Sequence, residues 1–303
     1  MSDYALGIDL GGTNLRVAAF RPDGEMLDKI SVLTNIAAGR DALIESIVRG
    51  IHQIEAARAG EDLLGIGIGV PGFILLEKGI ITKSPNLPGL ENFPIRDTLQ
   101  DRLGSPVILE NDANAAALGE KWQGAGRGVD DLVLLTLGTG IGGGIISGGK
   151  ILHGYLGMAG ELGHLTIEPD PARGARCGCG NTGCLEAHAS ATAIHRMARE
   201  AGLGELTSHQ VYDAAMAGSV PARAIFERMG QALGLGLALL INTFNFPLYL
   251  LSGGVLAAWD LYAPAMLEEC RRRSLTFRQT DTQIDKATLG EEAGLYGAAR
   301  LAL

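Results

Sequence analysis

The sequence predicts an α/β protein made of two domains. Strand-like and helix-like patterns alternate along the chain, a strand–glycine turn–strand block occurs twice, and 303 residues suit about two domains. Hydrophobic residues make up 47% and charged residues 19%, a balance that supports proper cores. The 44 glycines are roughly twice the usual ~7%. With 11 prolines they total 55 of 303 residues, about 18%, short of the roughly 25–30% that marks low-complexity chains. They show no every-third-residue period, which excludes collagen.

The first block runs from Leu6 to Phe20 and reads as strand, glycine turn, strand. Asp23-Gly24 is a second turn, and residues 25–33 suit a third strand. Leu43, Ile44, Ile47, Val48, Ile51 and Ile54 recur at helical spacing, with Gly60 as the stop. Leu63 to Val70 is an apolar run with interleaved glycines, the pattern of a buried parallel strand. A short helix is predicted over 95–103, ending at Gly104, then a strand at Val107–Leu109 and a helix starting at Ala113. Around residue 130 the opening pattern returns as strand, glycine turn, strand over 131–147, which points to duplication of one supersecondary unit. Helices follow near 188–201, 208–217 and 221–243, then a strand at 248–252 and a last helix near 291–302. A hinge between packed domains is expected at 118–130. Arg271, Arg272 and Arg273 read as a solvated helix face.

The formal net charge of −9 argues against nucleic acid or an anionic membrane as the main partner. No basic region followed by an apolar run opens the sequence, so a cytoplasmic location is expected. Met229 to Trp259 carries no charge, but Asn242, Asn245 and Pro247 interrupt it, which favours a buried helix feeding a buried strand over a membrane span.

Asp9-Leu-Gly11-Gly12-Thr13 sets a carboxylate at a strand end beside two residues without Cβ. Such a turn can aim N–H groups at phosphate oxygens, with the aspartate holding Mg²⁺ through water; an ordinary hairpin is the alternative. Gly138-Thr139-Gly140-Ile-Gly-Gly143 matches the dinucleotide fingerprint formally, but a strand and not a helix follows it. A pair of phosphate-contacting hairpins suits both glycine blocks better. In Glu110-Asn111-Asp112, Asp112 is either a base toward a substrate hydroxyl or a helix N-cap.

His164, Cys177, Cys179 and Cys184 have the composition of a closed structural zinc site, with three free thiols and a core histidine as the alternative. Gly178, Gly180 and Gly183 are expected to supply the backbone angles for the wrap. Cys270 reads as a buried small apolar residue. The remaining histidines show no partner pattern. Glu161 and Glu186 bracket the cysteine loop and suit a hydroxyl-rich substrate, and Asn86 sits in a turn that could join them.

Taken together, Asp9–Thr13, Glu110–Asp112, Leu137–Gly144, Gly160–His164 and Cys177–Glu186 resemble the ROK family of sugar kinases and sugar-responsive repressors, in family order from residue 6 to about 300. Among its members the bacterial glucokinases are the most similar. The resemblance implies an actin-like ATPase fold of the hexokinase, ribonuclease H-like type, with two α/β domains around a cleft. The expected division is 1–118 plus 290–303 for a smaller domain, and 119–289 for a larger one with the zinc loop and dimerisation helices. It also implies a homodimer, ATP and Mg²⁺, and structural Zn²⁺.

By the same resemblance, Asp112 is the general base, and Asn86, Asn111, Asp112, Glu161, His164 and Glu186 fall on sugar-contacting positions. His164 would meet zinc through one ring nitrogen and sugar through the other. Asp9, Gly11, Gly12, Thr13, Gly138, Thr139 and Gly140 fall on the phosphate side, and Gly253 and Gly254 on the adenosine side. Asn14 stands where many relatives carry lysine. The expected activity is ATP-dependent phosphorylation of the 6-hydroxyl of a hexose, with glucose ahead of N-acetylhexosamines, mannose and fructose. A repressor role is disfavoured because only five residues precede Leu6, which leaves no room for a helix-turn-helix.

Overall fold

The structure is a computed structural model that describes residues 3–34, 36–84, 87 and 89–303. By packing, the chain divides into a first unit of Met1–Asp130, Gly144–Gly160 and Ala287–Leu303, and a second of Asp131–Gly143 and Glu161–Lys286. The chain leaves the first unit at 130/131, the end of the stretch expected as a hinge, while residues 119–130 and 144–160, expected in the larger domain, pack with the first unit.

In the first unit, β1 (Asp3–Leu10), β2 (Asn14–Phe20) and β3 (Met26–Leu33) form an antiparallel meander. Helix α1 (Arg40–Ala57) leads to β4 (Asp62–Val70), which pairs parallel with β1. A small hairpin follows, β5 (Phe73–Leu75) with β6 (Ile80–Lys83). Then come α2 (Ile95–Leu103), closed by Gly104 in the left-handed region at φ 67°, and β7 (Val107–Asn111), parallel to β4. Helix α3 (Asp112–Gln123) completes this stretch, and the sheet order is β3-β2-β1-β4-β7.

The second sheet repeats this wiring. It contains β8 (Leu132–Leu137), β9 (Ile141–Ser147), β10 (Lys150–Ile151), β11 (Leu248–Ser252) and β12 (Gln283–Lys286), in the order β10-β9-β8-β11-β12. β11 lies parallel to both β8 and β12, and β10 antiparallel to β9. An antiparallel edge joined to a parallel half therefore occurs twice in one sequence order, as the repeated glycine block predicts.

The helices of the second unit are α4 (Leu185–Ala189), α5 (Ala191–Glu200), α6 (Ser208–Met216), α7 (Val220–Phe244) and α8 (Trp259–Arg273). The single helix expected near 188–201 is two, because the Ser190 side chain accepts the Ala193 N–H and starts a new N-terminus. Thr207 and Gln210 form a reciprocal cap on α6. Helix α7 has the length and apolarity of a membrane span, yet 67% of its apolar window is buried inside the protein. Its positions Gly230 and Gly234 lie against the carbonyls of Tyr262 and Met266 on α8, 2.3 and 2.4 Å from where a Cβ would stand. Arg272 and Arg273 both bind Glu269, so the three-arginine run is only partly a solvated face. Cys270 is fully buried.

The last helix, α9 (Ala293–Leu301), returns to the first unit, and its placement explains the glycine alternation in β4. Ile66, Ile68 and Val70 point to the α1 side, where they join Leu6, Ile8, Ile47, Ile51 and the other buried aliphatics of that layer. Gly65, Gly67 and Gly69 face the opposite side, because strand positions alternate between faces. There the α9 backbone lies on the sheet: a Cβ on Gly67 would stand 1.8 Å from the Ala298 carbonyl, and one on Gly7 2.1 Å from that of Leu295. Gly119 and Gly297 bring α3 and α9 equally close, with Cβ positions 2.1 Å from the Ala293 oxygen and 1.6 Å from the Ala115 oxygen.

Glu120, fully buried on α3, fixes the chain where it re-enters this unit. Its carboxylate accepts the N–H groups of Ala125 (2.9 Å), Thr288 (3.1 Å) and Leu289 (2.7 Å). A buried carboxylate is tolerated when donors satisfy it in this way.

Gly67→Ala is expected to destabilise the protein by about 2 kcal/mol through overpacking, read as a shift in the denaturant midpoint. Gly65→Ala, whose nearest neighbour would be Ala302 Cβ at 3.4 Å, serves as the matched control and is expected to move the midpoint little.

Candidate active site

The register of the first sheet brings two of the acidic motifs to one edge. Asp9 on β1 lies beside Gly69 on β4, and Gly69 lies beside Glu110 on β7. The chain turns out of the sheet just after these residues, so Gly11–Thr13 and Asp112 emerge at the C-terminal ends of the parallel strands. That edge is where side chains and loops of α/β sheets meet ligands.

The turn after β1 is held by backbone bonds. Gly11 N–H donates to the Asn14 carbonyl (2.9 Å), and Thr34 N–H donates to the Thr13 carbonyl (2.9 Å). The Thr34 hydroxyl donates to the Gly11 carbonyl at 2.9 Å. Asp9 is mostly enclosed. Burial pushes its carboxyl above the ordinary value of 3.8, Arg16 at 3.6 Å pulls it partly back, and Glu291 adds to the rise.

At the β7–α3 corner, Asn111 and not Asp112 is the N-cap. The Asn111 side-chain oxygen accepts the N–H groups of Ala113 (2.9 Å) and Asn114 (3.2 Å). Asp112 is the first helical residue and its side chain is exposed. The N-cap reading of Asp112 therefore passes to Asn111. Asn111 Nδ2 also donates to the Gly72 carbonyl at 3.3 Å. Asn86 lies outside the described residues.

Sequence reasoning missed the partner of Glu110. This carboxylate is 2% exposed, and its Oε2 lies 2.6 Å from Nε2 of His153. The Glu110 bond raises the His153 pKa, against the opposing effect of burial. The two residues are 43 apart, and no local spacing could have paired them.

In the second unit, β8 and β11 pair through Thr136 and Ser252, so the turns that follow them, Gly138–Gly140 and Gly253–Gly254, share one edge. Gly253 has φ 96°, and a Cβ there would stand 2.4 Å from the Leu137 carbonyl, so only glycine suits this approach. The Gly138 carbonyl accepts the Ala191 N–H (2.9 Å), and the Thr139 carbonyl accepts the Thr192 hydroxyl (2.7 Å). The start of α5 therefore supports the glycine turn.

His164, Cys177, Cys179 and Cys184 converge, with all four donor atoms within 4.8 Å of one another. Cys177 Sγ is 3.6 Å from His164 Nδ1, and Cys179 Sγ is 3.7 Å from Cys184 Sγ. Tetrahedral zinc with ordinary bond lengths requires about 3.6 Å between sulfur and nitrogen and about 3.8 Å between sulfurs. Burial pushes the Cys177 thiol up to about 12, a penalty that a dication bound to the thiolates removes. The donor set fits zinc. Gly180 (φ 97°) and Gly183 (φ 82°) supply left-handed backbone to the loop, whereas Gly178, expected to do the same, is not in that region.

His164 turns its other nitrogen, Nε2, toward Glu161 at 3.8 Å. Burial raises the Glu161 pKa, His164 lowers it, and the nearby Glu186 raises it again. Glu186 joins the cysteine loop to the glycine turn: its Oε1 receives the Cys177 thiol at 3.4 Å, and its Oε2 accepts the Ile141 N–H at 2.9 Å. Glu161, His164 and Glu186 thus form one polar group, while Asp9, Asn111 and Asp112 belong to the other unit.

The raised Asp9 pKa has a direct consequence for stability. Because the folded pKa lies above 3.8, ionising Asp9 costs the native state stability as pH rises through that range. Asp9→Asn is expected to raise the melting temperature at pH 7, and the gain should vanish below the ordinary value of 3.8. Thermal melts of both proteins across pH check this.

The ROK family pattern matches residues 5–303. A glucokinase of Halalkalibacterium halodurans is 38% identical, over 99% of this chain and 96% of its own length. The structure of a ROK hexokinase from Thermus thermophilus superposes with a TM-score of 0.88 at 38% identity, covering 98% of this chain and 97% of that one. A ROK glucokinase from Streptomyces griseus, in complex with glucose and AMPPNP, gives a TM-score of 0.80 at 33% identity, with 98% of each chain covered. The duplicated sheets, the two glycine turns and the His-Cys cluster thus sit in a chain that belongs to the ROK family and has its actin-like ATPase fold.

Proposed function

We propose that this chain is an ATP-dependent hexokinase that phosphorylates the 6-hydroxyl of glucose, with Asp112 as the general base. The observation that carries this reading is the exposed Asp112 carboxylate on the first turn of α3, at the sheet edge that also bears Asp9, in a chain so similar to glucokinases.

In the reaction, Asp112 orients the sugar hydroxyl and takes its proton as the O6–Pγ bond forms. The bond between Pγ and the bridging oxygen breaks, and ADP leaves. Because the transition state is loose, positioning and charge stabilisation account for most of the catalysis. Asn111, Glu161, His164 and Glu186 are the proposed partners of the other sugar hydroxyls, with Asn86 as a further candidate. Backbone N–H groups of Gly12 and Thr13, and of Thr139 and Gly140, are suited to phosphate oxygens, while Gly11 and Gly138, whose N–H groups donate to the Asn14 and Gly140 carbonyls, close the two turns. Gly253 and Gly254 are assigned to the adenosine side. Mg²⁺, when bound, neutralises phosphate charge, and Asp9 would hold it through water.

The zinc site has a structural role in this reading. Four protein donors leave no open position; one of them, His164, is proposed to face the sugar through its other nitrogen, and Glu186 lies in the first turn of α4, two residues after the last donor, Cys184. A homodimer is the proposed assembly and a cytoplasmic location the proposed setting. Mass photometry at working concentration checks the first.

Asp112→Ala is expected to lower kcat by about 10²–10⁴-fold while glucose binding changes little, measured by coupled ADP release and by calorimetric titration. Wild-type turnover would reject the base assignment. The same assay across glucose, mannose, fructose, N-acetylglucosamine and N-acetylmannosamine should rank glucose first; another preferred sugar would correct the substrate and leave the kinase reading standing. Purified protein is expected to carry one zinc per chain by elemental analysis, and Cys184→Ala should lose the metal, melt at lower temperature and bind glucose more weakly. A metal-free, fully active wild type would refute the zinc assignment.

A further inference from the structure

We propose that His153 is a positioning residue for the general base, acting through Glu110 to hold the β7–α3 corner that aims Asp112. The proposal rests on the reading of Asp112 given above. His153 Nε2 lies 2.6 Å from Glu110 Oε2. The other oxygen, Oε1, accepts the Asn111 N–H (2.9 Å) and the Asn114 side-chain N–H (3.0 Å). Asn111 in turn caps α3 through Ala113 and Asn114 and is tied to the Gly72 carbonyl. Asp112 therefore sits between two residues whose backbones are fixed by one buried carboxylate and one cap.

Glu110 accepts from Asn111 and Asn114 as a carboxylate, so the close His153 nitrogen is assigned the proton it donates. A carboxylate only 2% exposed is costly unless each oxygen is satisfied, and His153 satisfies the second. The backbone that carries His153 is itself anchored: the Leu152 N–H donates to the Ile145 carbonyl (2.8 Å), and the His153 carbonyl accepts the Ala159 N–H (3.0 Å). Its side chain is 40% exposed and lines a cavity of about 660 Å³ with Glu77, Lys78 and Tyr155, so it is not core filling. Without this donor, Glu110 Oε2 is buried and unsatisfied and the carboxylate is held through Oε1 alone, which loosens the corner. A base displaced by even an ångström works far less well.

A double-mutant cycle tests this, using kcat and the glucose KM of His153→Phe, His153→Gln, Asp112→Asn and the Asp112→Asn/His153→Phe pair. His153→Phe should lower kcat by roughly 100-fold with KM changed by less than about 3-fold, the signature of a misaligned base. His153→Gln, which restores an N–H donor at a similar reach, should recover kcat to within about 10-fold of wild type. In the Asp112→Asn background, His153→Phe should cause no further loss, because its effect passes through Asp112. Losses that multiply in the pair, or a Gln variant that folds normally and is as slow as the Phe variant, would overturn the proposal. An Asp112→Asn enzyme with wild-type kcat would overturn the base assignment itself, and the role of His153 with it.

Discussion

The close seating of α9 on the first sheet is the constraint on which the rest of that unit depends. Where its backbone meets β1, β4 and α3, the facing positions Gly7, Gly67 and Gly119 have no room for a Cβ. This proximity gives the first sheet two different faces. One is an aliphatic layer under α1; on the other, α9 rests on the glycine backbone of β1 and β4 and on Ala18 and Phe20 of β2. The parallel strands end together beneath these layers, and Asp9, Glu110 and Asp112 inherit their alignment from that edge.

Most of the fold was legible because its signals are local. The helical repeat of α1, the Gly104 stop of α2 and the doubled glycine block each lie within a few residues. The His-Cys cluster was legible for the same reason, since its three cysteines fall in one loop and metal geometry restricts their spacing. What the sequence hid depends on distance along the chain. The Glu110–His153 pair and the Glu120 contacts to Thr288 and Leu289 join residues with no shared pattern. The identity of the α3 cap turned on backbone angles at Asn111 and Asp112, which residue type alone left ambiguous.

The glycines of this chain divide between two roles. Some lie at the turns after β1, β8 and β11, at the ends of strands. Many others, however, at 7, 67, 119, 230, 234 and 297, serve close packing of helices on strands and on each other. Glu186 makes a different kind of economy in the second unit. One carboxylate touches both a metal-loop thiol and the backbone of the glycine turn, so a change in either region is felt by the other.

The first unit is discontinuous, and that has a consequence for how the protein comes to fold. β1 and β4 are among the first elements synthesised, whereas α9, which covers one face of both, follows every other element. At ~5–20 residues per second, translation leaves that sheet face uncovered for tens of seconds. The contacts that finally close it span nearly the whole sequence, which makes them slow to form. During this interval the second unit, whose helices α4 to α8 are contiguous, can assemble on its own strands. Until the helix arrives, Phe20, which packs against Tyr296 of α9 in the finished unit, stays uncovered on that face, so the glycines of β1 and β4 spare only part of it from exposing apolar side chains.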